Sequence, residues 1–276
     1  MKSSKSLNRS LIALLLSFTT ISMFAQEVPV NKEFTPEVGQ QGKDVVWVPT
    51  PQTLVDKMLD IAKVTATDFV IDLGSGDGRT VITAAKRGAH AIGIEYNPDM
   101  VELSKKNAAA AGVTDKAEFI KADLFEYDFS RATVITMFLL PDINLKLRPQ
   151  LLNLKPGTRI VSNTFTMGDW QTDEKSFVAE DCNTWCTANL WIIPAKVEGT
   201  WVLDKGELTL TQQYQIISGT LKSGNISTNI SEGKLIGAEI RFNVGDAVYA
   251  GVVNGNNMQG TFTTGTTSGK WSATKK

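Results

Sequence analysis

The residues best suited to bind a ligand lie in the segment Asp72-Leu73-Gly74-Ser75-Gly76-Asp77-Gly78. Alternating glycines let a turn bring its backbone close to a ligand, and the helix expected to follow offers unpaired amides at its first turn. A dinucleotide-binding turn has the spacing G-x-G-x-x-G, with its acidic residue about 20 positions later. Here the spacing is G-x-G-x-G, and the carboxylate of Asp72 already stands at the start of the turn. That negative charge disfavours a pyrophosphate and favours a ligand that carries positive charge.

S-adenosylmethionine meets this requirement, because it carries a sulfonium and an ammonium group and no phosphate. Two further acids extend the prediction. Glu95 ends the second predicted strand, where its carboxylate can accept hydrogen bonds from both ribose hydroxyls. Asp123 follows the third predicted strand, where it can accept a hydrogen bond from the adenine amino group while Leu124 packs on the adenine ring. Acids at the ends of successive strands lie at the edge where open α/β sheets bind ligands. From the turn itself we expect cofactor contacts by Asp72, Gly74, Ser75, Gly76 and Gly78.

Short runs of β-branched residues alternate with helix-like stretches over residues 45–194. This pattern is typical of an α/β fold with a parallel sheet covered on both faces. Asn97 and Pro98 supply a cap and a first-turn proline for the helix after the second strand. The last two strands are expected to pair as a hairpin at one edge. The seven predicted strands are residues 69–72, 91–95, 117–122, 132–138, 158–165, a run near Phe177, and 189–193.

The pattern changes after residue 194, since residues 199–276 hold 12 of the 22 glycines and show no helical period. Strand-like runs recur there at short intervals, separated by turn residues. These features predict a small antiparallel all-β domain, either a meander or a closed barrel. The predicted strands include residues 200–203, 208–217, 234–242, 247–253 and 259–264, and the predicted turns are 204–206, 223–225, 231–233 and 254–255.

The start of the chain is expected to be a signal peptide, because Lys2, Lys5 and Arg9 precede an apolar run over residues 11–25. An uncleaved membrane anchor is the competing interpretation. Removing the signal changes the formal net charge from −1 to −4, because three cations are lost. We expect a periplasmic or secreted protein with no remaining transmembrane helix. The mild acidity and the lack of a long basic run disfavour nucleic acid as the main partner.

The predicted domain order is a signal peptide over residues 1–25, a linker over 26–44, a cofactor-binding domain over 45–195 and a β-meander or barrel domain over 196–276. The sequence leaves the oligomeric state open.

The chain has two cysteines, Cys182 and Cys186, and one histidine, His90. In an exported protein the two thiols can form a disulfide, and two small buried side chains are the equally weighted alternative. We expect no metal site, because the one histidine lies far from the cysteines in sequence. His90 stands at the start of a predicted strand and is expected to be structural, so no Ser-His-Asp nucleophile is predicted.

The segment from Asp72 to Gly78 and the strand pattern over residues 45–194 resemble the class I, seven-strand S-adenosylmethionine-dependent methyltransferases. This resemblance implies a Rossmann-like sheet and methyl transfer from S-adenosylmethionine. Two further segments, Trp47-Val48-Pro49-Thr50-Pro51 and Arg159-Ile160-Val161-Ser162-Asn163, are similar to seven-strand protein-lysine methyltransferases that modify the histone core or the ATP-synthase c-subunit. In that subgroup the upstream segment folds over the cofactor, which implies Thr50 as a contact.

Methyl transfer from a sulfonium is an in-line displacement that relies on alignment and water exclusion. An amine acceptor, with protein lysine as one candidate, must lose a proton first, since the lysine pKa is about 10.4. The segment of residues 136–141 lacks the Asn/Asp-Pro-Pro-aromatic signature, which disfavours adenine or cytosine methylation. Phe138 and nearby backbone carbonyls are candidate acceptor walls, and an ordinary buried strand and helix start is the equally weighted alternative for this segment. Asp142 and Asp169 are weak candidate bases, and Trp170 either faces the acceptor or packs in the core.

Two other function classes stay open at this point. A binding or scaffold module would keep the S-adenosylmethionine pocket without turnover, while its β-rich domain recognises a cell-envelope partner. A nucleotide-dependent oxidoreductase is disfavoured by the glycine spacing.

Overall fold

The computed structural model describes Met1 and residues 34–276. The predicted signal peptide, apart from Met1, and residues 26–33 of the predicted linker lie outside the described residues. All elements named below belong to one unit, Thr35–Lys276. In the described part of the chain, no helix combines the length and the apolar character that crossing a membrane requires.

A seven-stranded sheet forms the first part of this unit. Its strands are β1 Phe69–Leu73, β2 His90–Glu95, β3 Ala117–Lys121, β4 Val134–Met137, β5 Arg159–Asn163, β6 Glu174–Phe177 and β7 Thr187–Ile192. Their order across the sheet is β3-β2-β1-β4-β5-β7-β6. The first five strands run parallel, whereas β7 is antiparallel to β5 and to β6. The predicted Rossmann-like sheet with a hairpin at one edge is therefore confirmed.

The helices described around this sheet are α1 Gln52–Ile61, α2 Arg79–Lys86, α3 Pro98–Ala110 and α4 Pro141–Leu151. Residues of α1, α2 and α3 cluster with Val70 of β1, whereas residues of α4 cluster with Ile71. Successive residues of a strand point to opposite faces, so both faces of the sheet are covered. The Asn97 side chain accepts a hydrogen bond from the Asp99 amide at 2.9 Å, which caps α3 as the sequence predicts.

The chain then forms a closed antiparallel barrel. Its strands are β8 Gly199–Leu203, β9 Gly206–Gln213, β10 Ile216–Ser223, β11 Ile226–Ile236, β12 Glu239–Val244, β13 Ala247–Asn254, β14 Asn257–Thr264 and β15 Thr267–Lys275. Neighbouring strands pair in sequence order, and β15 pairs with β8 to close the barrel. Large apolar side chains such as Trp201, Phe242 and Leu235 fill its core. The closed form of the predicted all-β domain is the one observed.

Some predicted strand boundaries in the barrel are wrong. The run predicted over residues 208–217 contains a turn at Tyr214, and the run over 234–242 contains a turn at Gly237. Conversely, the turn predicted at 231–233 lies inside β11, where the pairing shifts register beside Glu232. The turn residues there form a β-bulge, which lets a strand of 11 residues bend around the barrel.

Trp170, which follows β5, packs between the sheet and the barrel. Its side chain is 1% exposed, its indole N–H donates to Gln215 Oε1 at 2.9 Å, and its ring stacks on Tyr214 at 5.6 Å between centroids. The Trp191 indole in turn donates to the Trp170 carbonyl at 2.9 Å. Of the two roles considered for Trp170, the structure therefore shows core packing.

Candidate active site

An open pocket lies at the carboxyl ends of β1 to β4. Most of the predicted ligand-binding residues line it together with Phe138, the predicted acceptor wall. The lining residues among those predictions are Thr50, Asp72, Gly74, Ser75, Gly76, Glu95, Asp123, Leu124 and Phe138. Gly78 is outside this lining. It adopts a φ of 83° directly before α2, and a Cβ there would lie 2.7 Å from the Phe119 ring, so Gly78 shapes the turn.

Asp72 is a buried carboxylate at the base of the pocket. Its side chain is 6% exposed, and the Thr136 hydroxyl donates to Oδ1 at 2.6 Å. Burial raises the pKa of Asp72 to about 7, with smaller contributions from the negative charges of Asp77 and Glu95. A cation placed beside Asp72 would offset this cost, so the pocket is electrostatically prepared for a positive ligand group.

The glycine turn forms a cradle whose backbone is tied to β2. The amides of Gly74 and Ser75 both donate to the Ile94 carbonyl, at 2.9 and 3.0 Å. Gly76 has a φ of 55°, and a Cβ there would lie 2.6 Å from the Trp47 indole nitrogen, so the turn fits closely under Trp47. The buried Ser75 hydroxyl has no partner among the described residues. An unpaired hydroxyl in a ligand pocket is suited to bonding with a ligand.

Glu95 is held by two backbone amides. Oε2 accepts from the Gly76 amide at 2.9 Å and Oε1 from the Asn97 amide at 2.9 Å. A carboxylate oxygen has about two acceptor sites, so each oxygen keeps one free. The geometry therefore suits the predicted pairing of Glu95 with two ribose hydroxyls.

Asp123 pairs with Lys43, a residue that no sequence motif marks as part of the site. Its Oδ1 accepts from the Phe125 amide at 2.9 Å, and its Oδ2 forms an ion pair with Lys43 Nζ. The hydrogen bond from Lys43 lowers the pKa of Asp123, and the same bond raises the pKa of Lys43. Lys43 Nζ also lies 4.9 Å from the centroid of the Tyr96 ring. Local sequence gives no signal for this contact, because 80 residues separate the two partners.

The segment upstream of α1 covers the pocket, and its residues 40–50 all contribute to the lining. Trp47 donates its amide to the Gln40 carbonyl at 2.9 Å, which folds the segment back on itself. Thr50 Oγ1 accepts from Asn163 Nδ2 at 3.3 Å, and the Thr50 carbonyl accepts from Arg79 at 2.8 Å. The contact between Thr50 and Asn163 joins the two segments that resemble lysine methyltransferases. Residues 40–44, assigned to a linker from sequence, are part of this cover.

The other side of the pocket is aromatic. Phe138 follows β4, Phe165 follows β5 and Trp185 precedes β7, and all three line the pocket. The Phe138 ring centroid lies 6.0 Å from that of Phe165 and 5.9 Å from that of Trp185. Trp185 sits in a loop closed by a disulfide between Cys182 and Cys186. The sequence predicted Phe138 alone, although the position of Phe165 at the carboxyl end of the predicted strand 158–165 was a usable signal.

Neither predicted base lines the pocket. Asp142 is exposed on the first turn of α4. Asp169 is exposed near the barrel, where Arg148 donates to it at 2.6 Å and the Tyr214 hydroxyl at 3.0 Å. The bond from Arg148 lowers the pKa of Asp169, which makes it a weaker base. Within residues 34–276, no cluster of His, Cys, Asp and Glu is arranged for a metal ion, and His90 is exposed.

Comparison with known proteins gives matches to the sheet domain. A family model described as the ANTKMT methyltransferase domain matches residues 72–174. A protein-lysine N-methyltransferase of Saccharolobus islandicus is 46% identical over 152 residues, covering 54% of this chain and 94% of that protein. An ATP-synthase c-subunit lysine N-methyltransferase of Xenopus laevis is 35% identical over 128 residues, covering 46% of this chain and 56% of that protein.

A solved structure gives a similar match. It is an RNA methyltransferase from Salinibacter ruber in complex with S-adenosyl-L-homocysteine, 49% identical, with a TM-score of 0.51 over 54% of this chain and 96% of that one. The family match runs from β1 to β6 and does not reach the barrel. The sheet order, the acidic glycine turn and these similarities agree, and the chain therefore belongs to the class I S-adenosylmethionine-dependent methyltransferases.

Proposed function

We propose that this methyltransferase acts on amines, with the lysine side chains of proteins as its acceptor class. The observation that carries the proposal is the division of the pocket into an acidic half, around Asp72, Glu95 and Asp123, and an aromatic half, around Phe138 and Trp185. Two of the similar proteins are named as lysine methyltransferases.

The acidic half is proposed to hold S-adenosylmethionine, which supplies a methyl group that an acceptor nitrogen takes up in line as the carbon–sulfur electron pair passes to sulfur. Asp72 attracts the ammonium end, Glu95 accepts from the ribose hydroxyls, and the Ser75 hydroxyl gains a bonding partner. Asp123 can receive the adenine amino group once Lys43 has released it.

The aromatic half is proposed to receive the acceptor. A lysine ammonium has a reference pKa of about 10.4 and must become neutral before it can attack. Phe138 and Phe165 are half-buried and exclude water from their side of the pocket. Desolvation disfavours the charged ammonium, so this surface promotes release of its proton to solvent. Acceptor activation then needs no dedicated base, which is consistent with the placement of Asp142 and Asp169 outside the pocket.

The experiment is methyl transfer from tritium-labelled S-adenosylmethionine to poly-L-lysine, with poly-L-arginine and Nε-acetylated poly-L-lysine as matched controls. We expect label on poly-L-lysine alone. Total RNA is included as a third acceptor because one similar structure is of an RNA methyltransferase. Label on RNA and none on poly-L-lysine would contradict the proposal, as would equal label on the acetylated polymer.

We also propose that the protein is exported. The basic and apolar pattern at its start and the Cys182–Cys186 disulfide, a bond typical of oxidising compartments, support this location. Mass spectrometry of the protein from its native cells should find a new N-terminus after Ala25. An N-terminus at Met1 together with recovery of the protein in the cytoplasmic fraction would refute export, whereas Met1 on a membrane-bound, protease-accessible protein would indicate an uncleaved anchor.

A further inference from the structure

The aromatic half of the pocket contains a residue that the fold itself does not require. Trp185 is 42% exposed, and it belongs to none of the apolar clusters that form the cores of the sheet and the barrel. Its described ring contact is with Phe138, at 5.9 Å between centroids. A large side chain outside the core that faces a ligand pocket is a candidate for ligand binding.

The backbone of Trp185 is also unusual. Its φ of 56° lies in the left-handed region, which bulky residues rarely adopt. Asp181, at the other end of the same loop, has a φ of 51°. Unfavourable backbone conformations of this kind persist where the surrounding structure enforces them, and they concentrate at functional sites.

Three bonds hold this loop in place. The disulfide between Cys182 and Cys186 closes it, and the Val178 amide donates to the Cys186 carbonyl at 2.9 Å. The Thr53 hydroxyl on α1 donates to the Glu180 carbonyl at 3.1 Å. The loop between β6 and β7 is therefore closed by two bonds within itself and tied by a third to α1.

The acidic residues of the pocket lining come from other elements than those that carry Trp185, Phe138 and Phe165. The described acidic residues of the lining belong to the cover, the glycine turn and the ends of β2 and β3, and they are Asp44, Asp72, Asp77, Glu95 and Asp123. The ring faces beside Phe138 thus form an apolar slot without a carboxylate. Aromatic faces pack against an alkyl chain, and an apolar surface favours the neutral amine at its end over the charged ammonium.

We propose that Trp185 is a specificity-determining residue that forms, with Phe138 and Phe165, a slot for the alkyl-amine arm of the acceptor. The cysteines Cys182 and Cys186 act as positioning residues, because their bond holds the tryptophan in its left-handed conformation. This inference rests on the proposed function and deepens it, since it names the surface that receives the lysine side chain.

The test measures binding of poly-L-lysine by titration calorimetry in the presence of S-adenosylhomocysteine, together with the KM for poly-L-lysine. We expect Trp185→Ala to lower the affinity and raise the KM by roughly 4- to 15-fold, as for one or two methylene groups of the lysine arm that lose their burial against the ring. Trp185→Phe should recover most of the loss. The affinity for S-adenosylhomocysteine should stay within about twofold in each variant, which also reports correct folding.

A matched control is Phe177→Ala, because Phe177 is 69% exposed on the same hairpin and does not line the pocket. Phe177→Ala should change neither the affinity nor the KM for poly-L-lysine. The double variant Cys182→Ser/Cys186→Ser should weaken poly-L-lysine binding, and adding Trp185→Ala to it should cause no further loss. Losses that multiply would show that the disulfide does not act through Trp185.

Two outcomes separate this inference from the proposed function. Wild-type protein that methylates poly-L-lysine, with a Trp185→Ala variant of unchanged KM and affinity, would overturn the slot and leave the proposed function standing. Wild-type protein that neither binds nor methylates poly-L-lysine would overturn both.

Discussion

Replacing Asp72 by Asn is expected to stabilise the ligand-free protein at pH 8 while removing most of its affinity for S-adenosylmethionine. The carboxylate is 6% exposed and its pKa is raised to about 7, chiefly by burial. Asn has nearly the same shape, and its side-chain oxygen can still accept the bond from the Thr136 hydroxyl. The substitution therefore removes the buried charge and little else.

The size of the expected change in the free energy of unfolding follows from the difference between the folded pKa of Asp72, about 7, and its reference value of 3.8. A raised pKa means that the folded state favours the protonated form. The associated stability is fully present below pH 3.8 and is lost as the pH rises to about 7. At 1.36 kcal/mol per pH unit, the loss is roughly 2 kcal/mol at pH 5 and roughly 4 kcal/mol at pH 8. The wild type should therefore lose roughly 2–3 kcal/mol relative to Asp72→Asn between these pH values.

The assay is urea-induced unfolding of both proteins at pH 5 and pH 8 without cofactor. Comparing the two differences cancels any pH-independent effect of the substitution and every titrating group that does not interact with Asp72, which leaves the smaller contributions of Asp77 and Glu95. Titration calorimetry at pH 8 should show an affinity for S-adenosylmethionine that is roughly 10- to 100-fold weaker in the variant, as expected for a lost charged hydrogen bond. Parallel loss of stability in both proteins between pH 5 and pH 8 would refute the raised pKa, and unchanged affinity would refute the role of Asp72 as the cation partner.

Three further substitutions test the surroundings of the pocket. Lys43→Met removes the ion pair with Asp123, and stopped-flow measurements should show cofactor exchange roughly two- to fivefold faster than in the wild type. Because salt screens an exposed ion pair, the two proteins should exchange cofactor at equal rates in about 0.5 M salt. Equal rates at low salt would contradict the prediction. Gly76→Ala forces a Cβ into a left-handed residue 2.6 Å from Trp47 and should destabilise the protein by about 1–2 kcal/mol in urea, so an unchanged midpoint would contradict the close fit. Trp170→Ala should cost about 3–5 kcal/mol by calorimetry with unchanged cofactor affinity, whereas weakened cofactor binding would argue against a purely structural role.

The acidic half of the site was predictable because each acid lies at or just beyond the carboxyl end of its own strand. Asp72, Glu95 and Asp123 are marked by local sequence, and a parallel sheet must bring its carboxyl ends to one edge. Lys43 and Trp185 were not predictable in the same way. Each reaches the pocket through a contact with a residue distant in sequence, and neither lies in a segment whose pattern indicates where it will fold.

The barrel shows a different limit of sequence reasoning. Strands and turns alternate along the barrel as the sequence predicts, yet the two-residue turn at Tyr214 lacks the glycine or asparagine that usually marks such a turn. The residues Ser231-Glu232-Gly233 have turn composition and instead form a bulge within β11. Turn-forming residues indicate that the backbone bends at that position. Whether the bend reverses the chain or only curves a strand is decided by closure of the whole barrel.

The direction of β7 explains how one edge of the sheet acquires both halves of the site. The strands β1 to β5 are parallel, so their ends supply the acids and the two phenylalanines at that edge. Because β7 runs antiparallel to β5, with Ala188 opposite Asn163, the loop before β7 is carried to the same edge. A parallel β7 would place that loop, and Trp185 with it, at the far end of the sheet. The antiparallel hairpin thus brings Trp185 to the pocket from an element separate from the strands that position the acidic half.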